Sequence, residues 1–248
     1  MKRRYWSRAL GAVTCVATLL LAASHAAAAE GRDTPAPRAV DDQALGNHQK
    51  NLRLDIGGRT QFVNNKGFDP FSKNDVLGQL SLAASYTVWT HDQLSLAGLV
   101  GFDYGGASAN IRSDATSLDL RRFTLAPEAR YHVLRLLVLT AKVGPTLTRE
   151  AAEVSGGLGT AWLKTGWKFG FDATAGAAVE LWGYQSGRSN KPRLWVTGEG
   201  GYGWTAPMKL SFAPEDSGAA PQRLAPVDLG ELSVAGPLFR VTAALSFW

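Results

Sequence analysis

The chain has 248 residues, a formal charge of +5 and one cysteine, Cys15. Four of its 26 basic residues and none of its 21 acidic ones precede Ala29, so the rest is near neutrality, with no Lys/Arg run to suggest a nucleic-acid partner. Loss of Cys15 with an exported leader would exclude disulfides, thiolate-bound metals and cysteine nucleophiles.

Lys2, Arg3, Arg4 and Arg8 lead into an apolar stretch from Ala9 to Ala23, followed by the small residues Ala26 to Ala29. This is the pattern of a cleaved secretory signal peptide over residues 1–29. Cys15 lies within it behind Val13 and Thr14, which is not the setting of a lipoprotein cysteine. Residues 30–51 contain Pro35 and Pro37, lack periodicity and read as a flexible periplasmic lead-in. Beyond Ala29 no apolar run approaches the ~18 residues of a membrane helix.

From Leu52 the chain alternates with period two, which predicts strands with one apolar face. In the first run Leu52, Leu54, Ile56 and Phe62 oppose Arg53, Asp55, Arg59 and Gln61. Leu80 to Val88 against Gln79 to Thr87, then Leu94 to Tyr104 against Ser95 to Asp103, form a hairpin. A second hairpin sets Phe123, Leu125, Ala129, Tyr131 and Val133 against Thr124, Glu128, Arg130 and His132, then Leu137 to Leu147 against Thr140, Lys142 and Thr146. The sixth run opposes Trp167, Phe169, Phe171, Val179 and Leu181 to Lys168, Asp172, Thr174 and Glu180. In the seventh, Leu194, Val196, Tyr202 and Trp204 oppose Thr197 and Glu199. The eighth places Phe239, Val241, Ala243, Leu245 and Phe247 against Arg240, Thr242 and Ser246.

Short connections (90–93, 134–136, 183–191) alternate with long ones (64–76, 105–117, 149–166, 205–237). That sorting is characteristic of a barrel with short periplasmic turns and longer external loops. Tyr86, Trp89, Phe102, Tyr104, Tyr131, Trp167, Trp204 and Phe247 fall near strand ends, where aromatic rings favour the membrane interface. The expected fold is all-β: an eight-stranded antiparallel up-and-down transmembrane β-barrel over residues 52–248, or ten strands if 205–237 adds a membrane hairpin.

The signal peptide, the eight alternating runs, the loop order and the closing strand resemble the OmpA/OmpX-like family of small outer-membrane β-barrels. The resemblance implies residence in the cell outer membrane, with its lipids and lipopolysaccharide as surroundings and the barrel-assembly machinery as a partner. The terminal strand is similar to the signal that machinery recognises, with Phe247 as the aromatic and Phe239, Val241, Ala243 and Leu245 at alternate positions before it. Trp248 adds one residue to the usual ending. Within the family the expected role is a structural, non-enzymatic scaffold whose external loops serve recognition or adhesion. The alternatives are a porin-like narrow channel for small solutes and a lipid-modifying enzyme. Oligomeric state is left open.

Gly198, Gly200 and Gly203 match a dinucleotide-binding spacing, but Trp204 to Pro207 offer no helix to hold a pyrophosphate. His48, His91 and His132 are scattered, no Gly-x-Ser-x-Gly elbow occurs, and the carboxylates lack metal-ligand spacing, so neither cofactor nor metal is expected. The inward face carries Arg53, Arg59, Arg130, Lys142, Lys168 and Arg240 against Asp55, Asp103, Glu128, Asp172, Glu180 and Glu199. This balanced set is expected to plug the lumen with mutual salt bridges. Joining Val133 to Leu137 through a three-residue turn puts Glu128 opposite Lys142, which predicts a salt bridge between them.

Overall fold

The computed structural model describes residues 52–111, 114–134, 136–156, 159–164, 166–182, 192–214 and 227–247. The expected signal peptide (1–29), the lead-in (30–51), the connection 183–191 and Trp248 lie outside the described residues. Among the described residues no helix is long and apolar enough to cross a membrane. The described residues form eleven strands: β1 (Leu52–Phe62), β2 (Val76–His91), β3 (Leu94–Ile111), β4 (Asp114–Leu134), β5 (Leu137–Gly156), β6 (Gly159–Lys164), β7 (Lys168–Trp182), β8 (Arg193–Thr205), β9 (Met208–Pro214), β10 (Val227–Leu232) and β11 (Gly236–Phe247).

Eight of them close a barrel. Antiparallel pairing runs β1–β2–β3–β4–β5–β7–β8–β11 and returns to β1, where Leu52 faces Phe247. Closure leaves no sheet edge in the circuit, the condition under which strands can cross hydrocarbon. The remaining three do not enter it. β6 pairs with the far end of β5, β9 with β6, and β10 with β9, so the described strands of 205–237, Met208–Pro214 and Val227–Leu232, pair beyond one rim and the barrel has eight strands, not ten.

Burial in the barrel is inverted relative to a soluble protein. Ile56, Val100, Leu125 and Phe169 are 55–62% exposed, whereas Arg59 and Arg122 are 1% and 0% exposed. On β4 the outward belt runs from Phe123 to Tyr131, the ~9 residues a tilted strand needs to cross a bilayer. Arg121 and Asp119 follow it outward. At the same height the inward face changes the other way, from Arg122 to buried Leu120 and Leu118. The strand passes from an apolar outer face to a polar one without a break in its pairing from Asp119 to Thr124.

Several segments expected as loops are therefore strand. Residues 105–111 and 114–117 continue β3 and β4 as a ribbon, and 149–156 continue β5. Beyond the apolar belt the outward face turns polar, so the alternation that signals a strand fades while the hydrogen-bond ladder continues. At the short-turn rim, Leu134 pairs with Leu137 after an irregularity beyond His132, not Val133 with Leu137. The β2–β3 turn is tight, and Asp92 takes a left-handed φ of 49° that aspartate tolerates.

Candidate functional site

The lumen is filled in three layers, and the loop-end layer is apolar. Val63, Phe68 and Phe71 from the β1–β2 connection meet Leu77, Leu118, Leu120, Ala152, Met208, Leu210, Leu232 and Val234 in one buried cluster. The connection crosses the mouth and is tied at both sides. The Val63 amide donates to the Asp75 carbonyl at 2.8 Å, and Thr116 Oγ1 on β4 donates to the Pro70 carbonyl at 2.5 Å. Gly67 permits this seating, because a Cβ there would meet the Glu231 carbonyl of β10.

Ion pairs occupy the middle. Arg59 Nη1 on β1 donates to Asp103 on β3 at 2.9 Å and to Asp172 on β7 at 2.5 Å, spanning the interior. Arg240 on β11 reaches the same Asp103 at 3.2 Å and Glu199 on β8 at 3.6 Å. Arg122 on β4 lies 3.6 Å from Asp172, donates to Gln61 at 3.1 Å and bonds the hydroxyls of Thr148 and Thr205. Gln61 in turn accepts from Arg59 at 2.9 Å and donates to the Gly203 carbonyl at 3.2 Å. Each charge thus has more than one partner, the condition under which charges persist away from water.

The short-turn layer is mixed. Trp195 packs with Val138, Ala178 and Ala244, and its indole donates to Ser246 Oγ at 3.1 Å. Beside it Arg130 holds Glu128 at 3.1 Å and donates to Ser85, while Arg53 holds Asp55 at 2.8 Å. Ser95 Oγ lies 3.3 Å from His132 Nε2, a serine–histidine contact that invites comparison with a hydrolase. The cavity that Ser95 and His132 line has a volume of only about 30 Å³, room for roughly two waters and far too little for an acyl chain.

All twelve charged residues singled out on the inward face point into the barrel. The structure brings Arg59, Asp103, Lys142, Asp172, Glu199 and Arg240 into contact through the bridges of the middle layer. Arg53 with Asp55 and Arg130 with Glu128 form separate pairs, Glu180 lies 3.8 Å from Arg193, and Lys168 stands within electrostatic reach of Glu150.

One expected pair does not form. Glu128 and Lys142 are opposite in the register, as the turn arithmetic requires, yet Lys142 reaches Glu199 at 2.6 Å while Arg130 takes Glu128. Opposition fixes where Cβ atoms sit, but in an eight-stranded lumen a lysine is long enough to choose a partner two strands away. Sequence reasoning also missed Arg122, Glu150 and Trp195. Arg122 shares the face of Thr124 and Glu128, and continuing that parity two residues upstream of Thr124 would have found it.

The glycines of the dinucleotide-like spacing lie within β8, with no helix after them. Gly203 leaves room for the ion-pair hub, since a Cβ there would press on Asp172, Arg59 and Gln61. Phe239, Val241, Ala243, Leu245 and Phe247 take outward-facing positions on β11. Among the described residues no group of three or more histidine, cysteine, aspartate or glutamate side chains could hold a metal ion.

No protein-family model matches the chain, and no curated protein matches it in sequence. Among solved structures the chain is similar to Ail, the attachment invasion locus protein of Yersinia pestis, at 10% identity and a TM-score of 0.45, over 80% of this chain and 99% of that one. It is also similar to Neisserial surface protein A at 10% identity and 0.42, over 80% and 96% of the two chains. A third similarity is to the outer membrane protease OmpT from Escherichia coli, at 10% identity and 0.41, over 79% and 96%. The barrel itself is defined by its own eight-strand pairing circuit.

Proposed function

We propose that the protein is an integral outer-membrane β-barrel that serves as a closed, non-enzymatic scaffold and presents its loop-end ribbons for recognition or adhesion. The observation that supports this reading is that two different materials fill the lumen. Arg59 and Arg240 both grip Asp103 from across the interior. The apolar cluster around Phe68, Phe71, Leu118 and Leu210 stops the mouth beyond them. An ion or solute following the axis would have to break several buried ion pairs and then enter a dry apolar plug. A narrow channel needs neither barrier. The apolar belt supports membrane residence, and the outward residues of β11 support its reading as the assembly signal.

The test is reconstitution of the refolded full chain in planar bilayers. The expected record shows no unitary conductance steps while the same preparation migrates on gels as a heat-modifiable barrel. Stable steps of uniform size would replace the closed scaffold with the channel reading.

A further inference from the structure

We propose that Arg121 and Arg149 form a binding site for the phosphate groups of an anionic lipid of the outer leaflet. The inference rests on the outer-membrane reading and deepens it by naming a lipid contact. The two arginines are directly opposed partners of β4 and β5, and both are exposed on the outward face. Directly opposed side chains have Cβ atoms about 4.5–5.5 Å apart, and like charges so placed destabilise a sheet. Among the described residues no carboxylate relieves this, since neither guanidinium takes part in an ion pair. The nearest acid on that face of β4, Asp119, sits two residues farther from the belt.

Their height points to the occupant. Phe123 and Leu147, one outward position nearer the bilayer, are 46% and 50% exposed and belong to the apolar belt. Tyr104 pairs with Arg121 across β3, with the guanidinium carbon 5.8 Å from the ring centroid. Trp167 lies one residue beyond the last β5–β7 pair, Thr148 with Lys168, as Arg149 does on β5, and it packs on Phe123 with ring centroids 5.5 Å apart. Two forked cations therefore stand at the rim of the hydrocarbon between two interfacial aromatics, where a lipid's charged head meets its chains. A phosphate carries the charge and the oxygens to bridge both forks. A soluble anion would gain nothing from the belt below, so the site is assigned to a lipid phosphate.

The refolded chain and an Arg121→Gln/Arg149→Gln variant would be titrated in neutral detergent micelles with diphosphorylated lipid A, with dephosphorylated lipid A and with inorganic phosphate. Each basic residue at an anionic surface is worth about a factor of five, so the double variant should bind diphosphorylated lipid A roughly twenty-five-fold more weakly. Dephosphorylated lipid A should bind both proteins equally. Without lipid A the variant should be at least as stable as the parent, because the like-charge opposition is gone, an outcome a merely structural pair would not give. Undiminished affinity in a folded variant would overturn this inference alone, as would saturation of the parent by inorganic phosphate at the lipid's concentration. Failure of the parent chain to fold as a heat-modifiable barrel would instead remove the outer-membrane reading on which the inference stands.

Discussion

Replacing Arg59 by methionine keeps a long unbranched side chain and deletes the charge at the centre of the lumen. The substitution removes the bonds to Asp103 at 2.9 Å, Asp172 at 2.5 Å and Gln61 at 2.9 Å. Neither carboxylate is left alone, because Asp103 keeps Arg240 at 3.2 Å and Asp172 keeps Arg122 at 3.6 Å. Breaking a buried ion pair costs about 3–5 kcal/mol when the surviving charge has no other partner. With a second guanidinium on each carboxylate the expected loss lies at the lower end, about 3 kcal/mol. Asp172→Asn should cost a similar amount, since it weakens the hold on both Arg59 and Arg122. Because the two substitutions strike one bond, the double variant should lose about 2 kcal/mol less than the sum of the singles. Urea unfolding of the barrel refolded into vesicles, followed by tryptophan fluorescence, measures all four corners of the cycle if the denaturant slope is unchanged. Additive losses below about 1 kcal/mol each would mean that water reaches and solvates the freed carboxylates, and the sealed-lumen argument would fail.

Phe71→Ala should cost about 3–5 kcal/mol by hollowing the plug, and should make residues 66–72 newly cleavable by protease on intact cells; an unchanged unfolding midpoint would place Phe71 outside any packed core. Gly203→Ala should destabilise by about 1–3 kcal/mol through crowding of Arg59 and Asp172, and a neutral result in the same urea assay would show that the hub has slack. Leu125→Arg, on the outward belt, should cost about 2–4 kcal/mol in vesicles, whereas no loss would contradict lipid contact at that height. Truncation before Gly236 removes β11 and leaves β1 and β8 each with one open edge, so no heat-modifiable protein should reach the outer membrane; its normal appearance there would refute closure through β11.

How much of this was legible in the sequence follows from which solvent each face meets. An apolar outer belt and a packed polar interior impose strict alternation, so Leu52 to Ile56, Leu80 to Tyr86 and Phe239 to Leu245 announced their strands residue by residue. Beyond the belt the inward positions Leu118 and Leu120 keep the parity of Arg122 but reverse its character. A reader of polarity sees there the end of a strand, while the backbone sees nothing. That reversal hid the ribbons of β3, β4 and β5, and it removed Arg122 from the expected charge set. The partner choice of Lys142 was hidden for another reason. It depends on the width of the lumen and on side-chain reach, which no register can encode.

The exchange of polarity at one height also gives the strands a vertical scale. In the proposed membrane setting, sliding the barrel toward its short-turn end by one outward position would carry Arg121 and Arg149 into the interfacial hydrocarbon at about 1 kcal/mol each, rising toward 2–4 kcal/mol at the midplane. Sliding it the other way would lift Phe123 and Leu147 into water and lose their contact with lipid. On the outer-membrane reading the molecule would float at a fixed draught, held to within about one residue pair, roughly 7 Å along a strand. A peptide grafted at the β3–β4 tip would stand at a set distance above the lipid, raised on a ribbon that is paired over its whole length from the belt upward.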